Sequence, residues 1–524
     1  MKKGFLLLFF AAMAFAPAFS QQMQHICGNA RDQSALLPRL RENKLVMEAM
    51  RAAASDRGGG LQYVPIHFHL VGDADGAGKH KEIKVLDQLC KLNAAFLPVG
   101  MQFYLSPHPL HGLFDKSINH DAVFLSQTNS LLMNLRRHQN AVNVFVVEEP
   151  VPVGSELPPG SIVEAYYSPA SDWIVSRKTQ TNGTEPNTTV PHEMGHLFSL
   201  PHTFYGYEPN PFNNDGDPTW PIAPVIAPNN DATSERKNGT NCATAADEIC
   251  DTPADFNCGY GWPNNCPLYN LGAKDPLGTL IVPEQNNMMS YFNGCANYHF
   301  SQDQIGIMNA DLAHATRNYL DNTFVPTATD ITSPTDLIIA PANAGTVAYY
   351  NSVLLEWQAV PGATHYLIDI DITPTFATLS AQVLVETGTS KLITNLAPSK
   401  TYYWRIKPFN ALVGCAAPRT RNFKTPITIL STLEIEGLTA WQISPNPVAN
   451  GESANLNILT EKAFEAVLRI TDAAGRTISV QQNVAFPQGE STYQLGTEGL
   501  PNGLYFVSLE SGNGRNVRKM SVLR

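Results

Sequence analysis

The chain has 524 residues and a formal net charge of −11 at pH 7. With 43% hydrophobic and 15% charged residues it is a globular protein of several domains, and a disordered chain is excluded. The acidic balance, with no basic stripe, argues against a nucleic-acid binder. Beyond the N-terminus no apolar run is long enough to span a bilayer.

The N-terminus reads MKKGFLLLFFAAMAFAPAFS and is predicted to be a signal peptide over residues 1–20. Lys2 and Lys3 precede an apolar stretch, and the small residues Ala18 and Ser20 suit a cleavage point. The stretch is short and broken early by Pro17, which argues against a transmembrane anchor. Export permits disulfides. Five of the eight cysteines, Cys242, Cys250, Cys258, Cys266 and Cys295, fall close together and are the expected disulfide set, a local staple.

Residues 21–57 are rich in Arg and Ala and weakly helical in pattern, a candidate pro-segment. LQYVPIHFHLVGD, from Leu61, alternates like a strand. The next segment has helical apolar spacing at Ile83, Leu86, Leu89, Leu92 and Phe96. AVNVFVVEE and SIVEAYYS read as further strands, so an α/β or α+β unit is expected.

VPHEMGHLFSLPH follows, with histidines at 192, 196 and 202. Residues four apart share a helix face, so His192 and His196 would present their imidazoles together. Pro191 suits a first helical turn. Glu193 lies beside that face, where it can polarise a metal-bound water without being a ligand, which is the mechanical sense of H-E-x-x-H. His202 reaches the same ion only if the helix ends and the chain turns, and Pro201 favours that end. Three neutral histidines and a water complete a tetrahedral zinc site with one exchangeable position. Composition alone yields such a string in roughly one or two of a hundred chains of this size, and the third histidine makes it rarer by about 40, so core histidines are the poorer reading.

Residues 203–287 are rich in Asn, Asp, Pro, Gly and Cys with few periodic runs, a long loop region that needs staples. Helical pattern returns at SQDQIGIMNADLAHATRNYL, where Ser301 and Gln304 suit a capping box. After a linker the chain is all-β.

HEMGHLFSLPH resembles the metzincin signature, and the pappalysin/cytophagalysin branch in particular. Ser199 stands where that family usually has a glycine in a left-handed turn, a difference of about 1–2 kcal/mol. NNMMSY resembles the Met-turn of this branch. It implies Met289 as an apolar floor under the zinc and Tyr291 as a phenol that donates to the oxyanion. Between Tyr291 and Cys295 the chain reads FNG, without the acidic residue of members that cleave before arginine, so that preference is not carried over. CDTPAD resembles a family segment linked to calcium, which makes Asp251 and Asp255 candidate calcium ligands, with turn-forming aspartates as the alternative. Cys27 is a candidate zinc ligand of a latent precursor, its thiolate taking the water position, with an ordinary disulfide as the alternative.

Residues 334–425 resemble a fibronectin type III domain through VLLEW, PGATHYLI and LAPSKTYYWRI, whose Trp357, Tyr366, Tyr403 and Trp404 are expected in the sandwich core. Residues 442–524 resemble the C-terminal sorting domain of the type IX secretion system through SPNPV, ITDAAGR and GLPNGLYFVSL. That resemblance implies a bacterium of the Bacteroidetes group and passage through its type IX machinery. The expected fold is therefore a multidomain chain: an α+β metzincin-like catalytic domain over 58–325, with a mixed sheet and a zinc-binding helix, then two all-β sandwiches. The expected function is a secreted zinc endopeptidase acting on protein or peptide substrates. The rival is a secreted adhesion protein with a vestigial metal site, and the intact Glu193 speaks against it.

Overall fold

Parallel strands rich in Val, Ile and Phe build the first sheet. In a computed structural model, residues 24–27, 33–52, 60–119, 127–151, 161–183, 188–208, 222–263, 265–320, 323–379, 381–385, 388–394, 396–427, 435–449, 452–512 and 514–523 are described. The expected signal peptide lies outside them, as do the side chains of 24–27. The sheet contains β1 (Gln24–Cys27), β2 (Gln62–Leu70), β3 (Met101–Leu105), β4 (Phe114–Asp115), β5 (Val142–Val147), β6 (Ser161–Ser168) and β7 (Trp173–Arg177). Their order is β1-β6-β7-β5-β2-β3, with β4 following β3 along the same edge of β2. The strands from β7 to β3 run parallel, β6 runs antiparallel to β7, and β1 runs parallel to β6.

β2 forms where alternation placed a strand, but its polar half does not face water: every residue from Val64 to Leu70 is buried. Parallel strands on both sides and cover on both faces account for this. Internal partners hold the histidines of the pattern, His67 Nδ1 donating to the Ser106 carbonyl at 2.8 Å while its Nε2 is buried without a hydrogen-bond partner, and His69 lying between Asp115 and Asn143. The helices are α1 (Leu37–Ala52), α2 (Glu82–Phe96), α3 (Gln127–Arg136), α4 (Thr189–Leu197) and α5 (Gln302–Leu312). All five apolar positions read for α2 are buried, in one core with Met194 and Leu197 of α4. α5 begins with the expected capping box between Ser301 and Gln304.

The next unit is a two-sheet sandwich. One sheet joins Ile338–Ala340, Val353–Trp357 and Ser390–Ile393. The other joins Gly345–Thr346, His365–Asp371, Ala381–Val385, Thr401–Phe409 and Arg419–Lys424. Trp357, Tyr366 and Trp404 fill its core as expected, but Tyr402, not Tyr403, is the buried tyrosine. Neighbours in a strand point to opposite faces, so Tyr403 and Trp404 cannot both turn inward.

This sandwich is fastened to the first unit. Cys90 of α2 is disulfide-bonded to Cys415. Lys407, 2% exposed, pairs with Asp87 at 3.0 Å, and Asn93 Nδ2 donates to the Leu412 carbonyl. Phe324 stacks on Tyr104 of β3 at 3.9 Å between ring centroids. The local staple is thus corrected. Cys242–Cys250 and Cys266–Cys295 pin the long loop region, but Cys258, expected among the disulfides, is a buried thiol that forms no disulfide. The last unit packs a three-stranded sheet (Leu438–Ser444, Asn455–Thr460, Gly489–Gln494) on a four-stranded one (Phe464–Asp472, Thr477–Phe486, Gly503–Ser511, Gly514–Val522) around Trp441, Leu468, Val507 and Met520.

Candidate metal centre

α4 lies under the sheet against β6 and β7, and every residue from Val190 to Leu197 is buried. It ends as the motif required. Ser199 N–H bonds the His196 carbonyl at 2.9 Å and Leu200 N–H bonds the Gly195 carbonyl at 3.0 Å, a Schellman closure with Ser199 in the left-handed position at φ 69°. That turn brings His202 back over the helix.

The Nδ1 atoms of all three histidines face oxygen acceptors. His192 faces the Met288 carbonyl at 2.8 Å, His196 the Leu200 carbonyl at 2.6 Å, and His202 the carboxylate of Glu208 at 3.3 Å. With Nδ1 donating, each Nε2 is left as a lone pair. The three rings bring one ligand atom each to within 4.8 Å of one another, and His192 Nε2 is buried with no hydrogen-bond partner. His196 Nε2 and His202 Nε2 stand 3.2 Å apart. Facing lone pairs at that distance call for a cation or a shared donor between them. Burial pushes His192 down to about 4, and burial together with the neighbouring imidazoles holds His196 and His202 well below their ordinary value. The histidines are therefore neutral, as metal ligands must be, and the donor set fits zinc. Burial also pushes the Glu208 carboxyl up to about 8.

Glu193, 1% exposed, follows the first histidine on α4. Met289 is fully buried against Gly195, where an added Cβ would lie 2.5 Å from its sulfur, so the glycine in the helix is what admits this methionine. The Tyr291 ring lies 4.8 Å from His202 and 5.9 Å from His192, centroid to centroid. The structure thus brings Met289 and Tyr291 up to the three histidines.

Asp251 and Asp255 go to separate tasks. Asp251 accepts from Ser301 Oγ at 2.6 Å and from the Asp303 N–H at the start of α5. Asp255 accepts from Thr203 Oγ1, Ser290 Oγ and the Cys258 N–H. Neither belongs to a metal-type cluster; among the described residues the three histidines form the only one. These contacts are those of turn-forming aspartates, and calcium at Asp251 and Asp255 stays a proposal. Cys27 lies in β1 opposite Ala165 of β6, and its side chain is outside the description.

Two residues escaped the sequence reading. Glu208 is one. The other is Gln33, 1% exposed, whose Nε2 lies 3.2 Å from both His196 Nε2 and His202 Nε2 while its Oε1 accepts from the His202 N–H at 2.8 Å. A lone glutamine carries no motif, so only the path of the chain could reveal it.

No curated protein matches the chain. Among solved structures it is similar to a promirolysin mutant of Tannerella forsythia, at 15% identity and a TM-score of 0.35, covering 56% of this chain and 93% of that one. It is also similar to the FN1–FN3 domains of chicken CNTN1, at 15% identity and a TM-score of 0.16, covering 35% and 69%. The fn3 domain of human collagen alpha-1(XX) matches at 24% identity and a TM-score of 0.15, covering 20% and 97%. Among the described residues no helix is long and apolar enough to cross a membrane. Residues 442–523 match the family model of the secretion system C-terminal sorting domain, which makes the chain a Bacteroidetes-type protein exported by the type IX route to the cell surface or beyond.

Proposed function

We propose that the exported chain is a zinc-dependent endopeptidase. The observation that carries this is the convergence of three buried, neutral imidazoles, each oriented through Nδ1, beside a glutamate on the same helix. His192, His196 and His202 would hold zinc through Nε2, and zinc bound there supplies Lewis acidity toward a water and the scissile carbonyl. Glu193 accepts the proton of the attacking water and passes it to the leaving amine. Tyr291 donates its phenol hydrogen to the oxyanion. Glu208 holds the His202 ring in the tautomer that leaves Nε2 free to bind metal.

In the same reading residues 21–57 keep the enzyme latent. β1 occupies the outer edge of β6, where an extended substrate could pair, and Gln33 takes the space between two ligand histidines. Gln33 supports a latency role by its own contacts; the thiolate of Cys27 stays a separate proposal.

Zinc per chain and cleavage of casein, measured together, test the assignment after processing. Glu193→Ala should keep zinc and lose about 10²–10⁴ in rate, since it removes a base and no ligand. His202→Ala should lose zinc as well as activity. Full activity in Glu193→Ala, or parental zinc binding in His202→Ala, would defeat it.

A further inference from the structure

Asp255 is 1% exposed and lies outside the helix that carries the metal motif. Its Oδ2 accepts from Thr203 Oγ1 at 2.9 Å and from Ser290 Oγ at 2.8 Å, and its Oδ1 accepts from the Cys258 N–H at 3.1 Å. Thr203 is the residue after the third histidine, and Ser290 sits between Met289 and Tyr291. One carboxylate oxygen therefore ties together two loops that belong to no common helix or sheet. The Thr203 N–H to Met289 carbonyl bond, at 3.3 Å, is a long second link between them. The segment that carries Asp255 also backs the tyrosine turn. At Gly259 an added Cβ would lie 2.4 Å from the Phe292 nitrogen and 2.5 Å from the Tyr291 carbonyl carbon, so only glycine lets that strand of loop close against it.

We infer that Asp255 is a positioning residue that fixes the spacing between His202 and Tyr291, and so between the metal and the phenol. The inference rests on the peptidase reading for its kinetic consequence, while its geometric consequence stands on the metal site alone. His202 comes from a turn after its helix, and Tyr291 from a loop, so neither has a regular element to hold it. A shared buried acceptor supplies what a hydrogen-bond ladder supplies elsewhere, and misplacement of a reacting group by about 1 Å costs on the order of 10²-fold in rate.

The test uses the full chain loaded with cobalt(II), whose visible absorption reports ligand geometry, and peptide cleavage after processing. Asp255→Ala should shift the cobalt spectrum and lower kcat by roughly tenfold or more, with KM changed by less than about threefold. Asp255→Asn, which keeps an acceptor for Cys258 and a polar group toward the hydroxyls, should restore part of both. Thr203→Val and Ser290→Ala should each reproduce part of the effect while leaving the chain folded, and adding either to Asp255→Ala should add little, because partners in one network are not additive. Parental spectra and kcat in Thr203→Val and Ser290→Ala, or full additivity with Asp255→Ala, would overturn the clamp. A parent chain that takes up cobalt without cleaving peptides would sink the peptidase reading and leave the clamp to be judged by the spectra. A parent that takes up no cobalt would overturn both.

Discussion

Ser199 holds a left-handed backbone at φ 69°, a conformation that an L residue with a Cβ adopts at a cost of about 1–2 kcal/mol. Its hydroxyl offsets part of this by accepting from Asn43 Nδ2 of α1 at 2.9 Å. The same side chain therefore strains the loop between His196 and His202 and helps seat the segment that covers it. Ser199→Gly should raise the stability of the processed chain by about 1 kcal/mol, because glycine occupies this position without a Cβ clash. In the unprocessed chain the gain should be smaller, since the bond to Asn43 is lost. Urea midpoints of both forms check this, and an equal gain in the two would sink the idea. The turn was legible in sequence because the spacing from His196 to His202 demands a helix end followed by a reversal. Gln33 was not legible: its contact spans 169 residues of sequence and follows from where α1 docks, which no local pattern encodes.

At the scale of elements, α1 and α5 form the seat of the N-terminal segment. Arg41 makes a bidentate pair with Glu248, Lys44 donates to the Glu248 carbonyl, and Asn43 reaches Asp311 of α5 at 2.8 Å. The two helices also pack tightly at Gly306, where an added Cβ would lie 2.5 Å from Met47 Sδ and 2.7 Å from Met47 Cγ. Gly306→Val should therefore loosen α1 without touching the histidines. Overpacking of this kind costs about 1–3 kcal/mol, so the unprocessed chain should cleave peptide roughly tenfold faster than its parent. The processed chain, which lacks Met47, should be unchanged, since valine is no worse than glycine in a helix. An unprocessed variant as silent as the parent would argue that α1 contributes nothing to latency. Helical spacing placed α2, and the capping pair placed the start of α5, but α5 ends at Leu312 and the helical pattern read on to Leu320 does not continue as α-helix. Alternation placed β2 correctly, but as a central parallel strand it buries its polar residues as well, where internal partners such as Asp115 and Asn143 await them.

Across the whole molecule the sandwich and the last unit stand in different relations to the metal centre. The sandwich shares a disulfide, a half-buried ion pair and apolar contacts with α2, and α2 packs against α4. Spacing along the chain could not reveal this, since Cys90 and Cys415 are 325 residues apart and their pairing follows only from the packed domains. The last unit instead has its own core around Trp441, Leu468, Val507 and Met520, which includes no residue of the other units. Deletion of 442–524 should thus remove the export signal and leave the rest folded. The truncated chain should be held inside the cell envelope, with the Cys90–Cys415 bond formed and a thermal unfolding midpoint close to that of the same units in the parent. Cys415→Ser in the full chain should do the converse, destabilising the first two units by roughly 2–4 kcal/mol while leaving the sorting unit able to direct export. Fractionation of cells and medium, with thermal unfolding of each purified form, checks the pair. Truncated chain in the medium at parental levels would remove the sorting role, and a truncated chain that cannot fold would mean that the last unit supports the others after all.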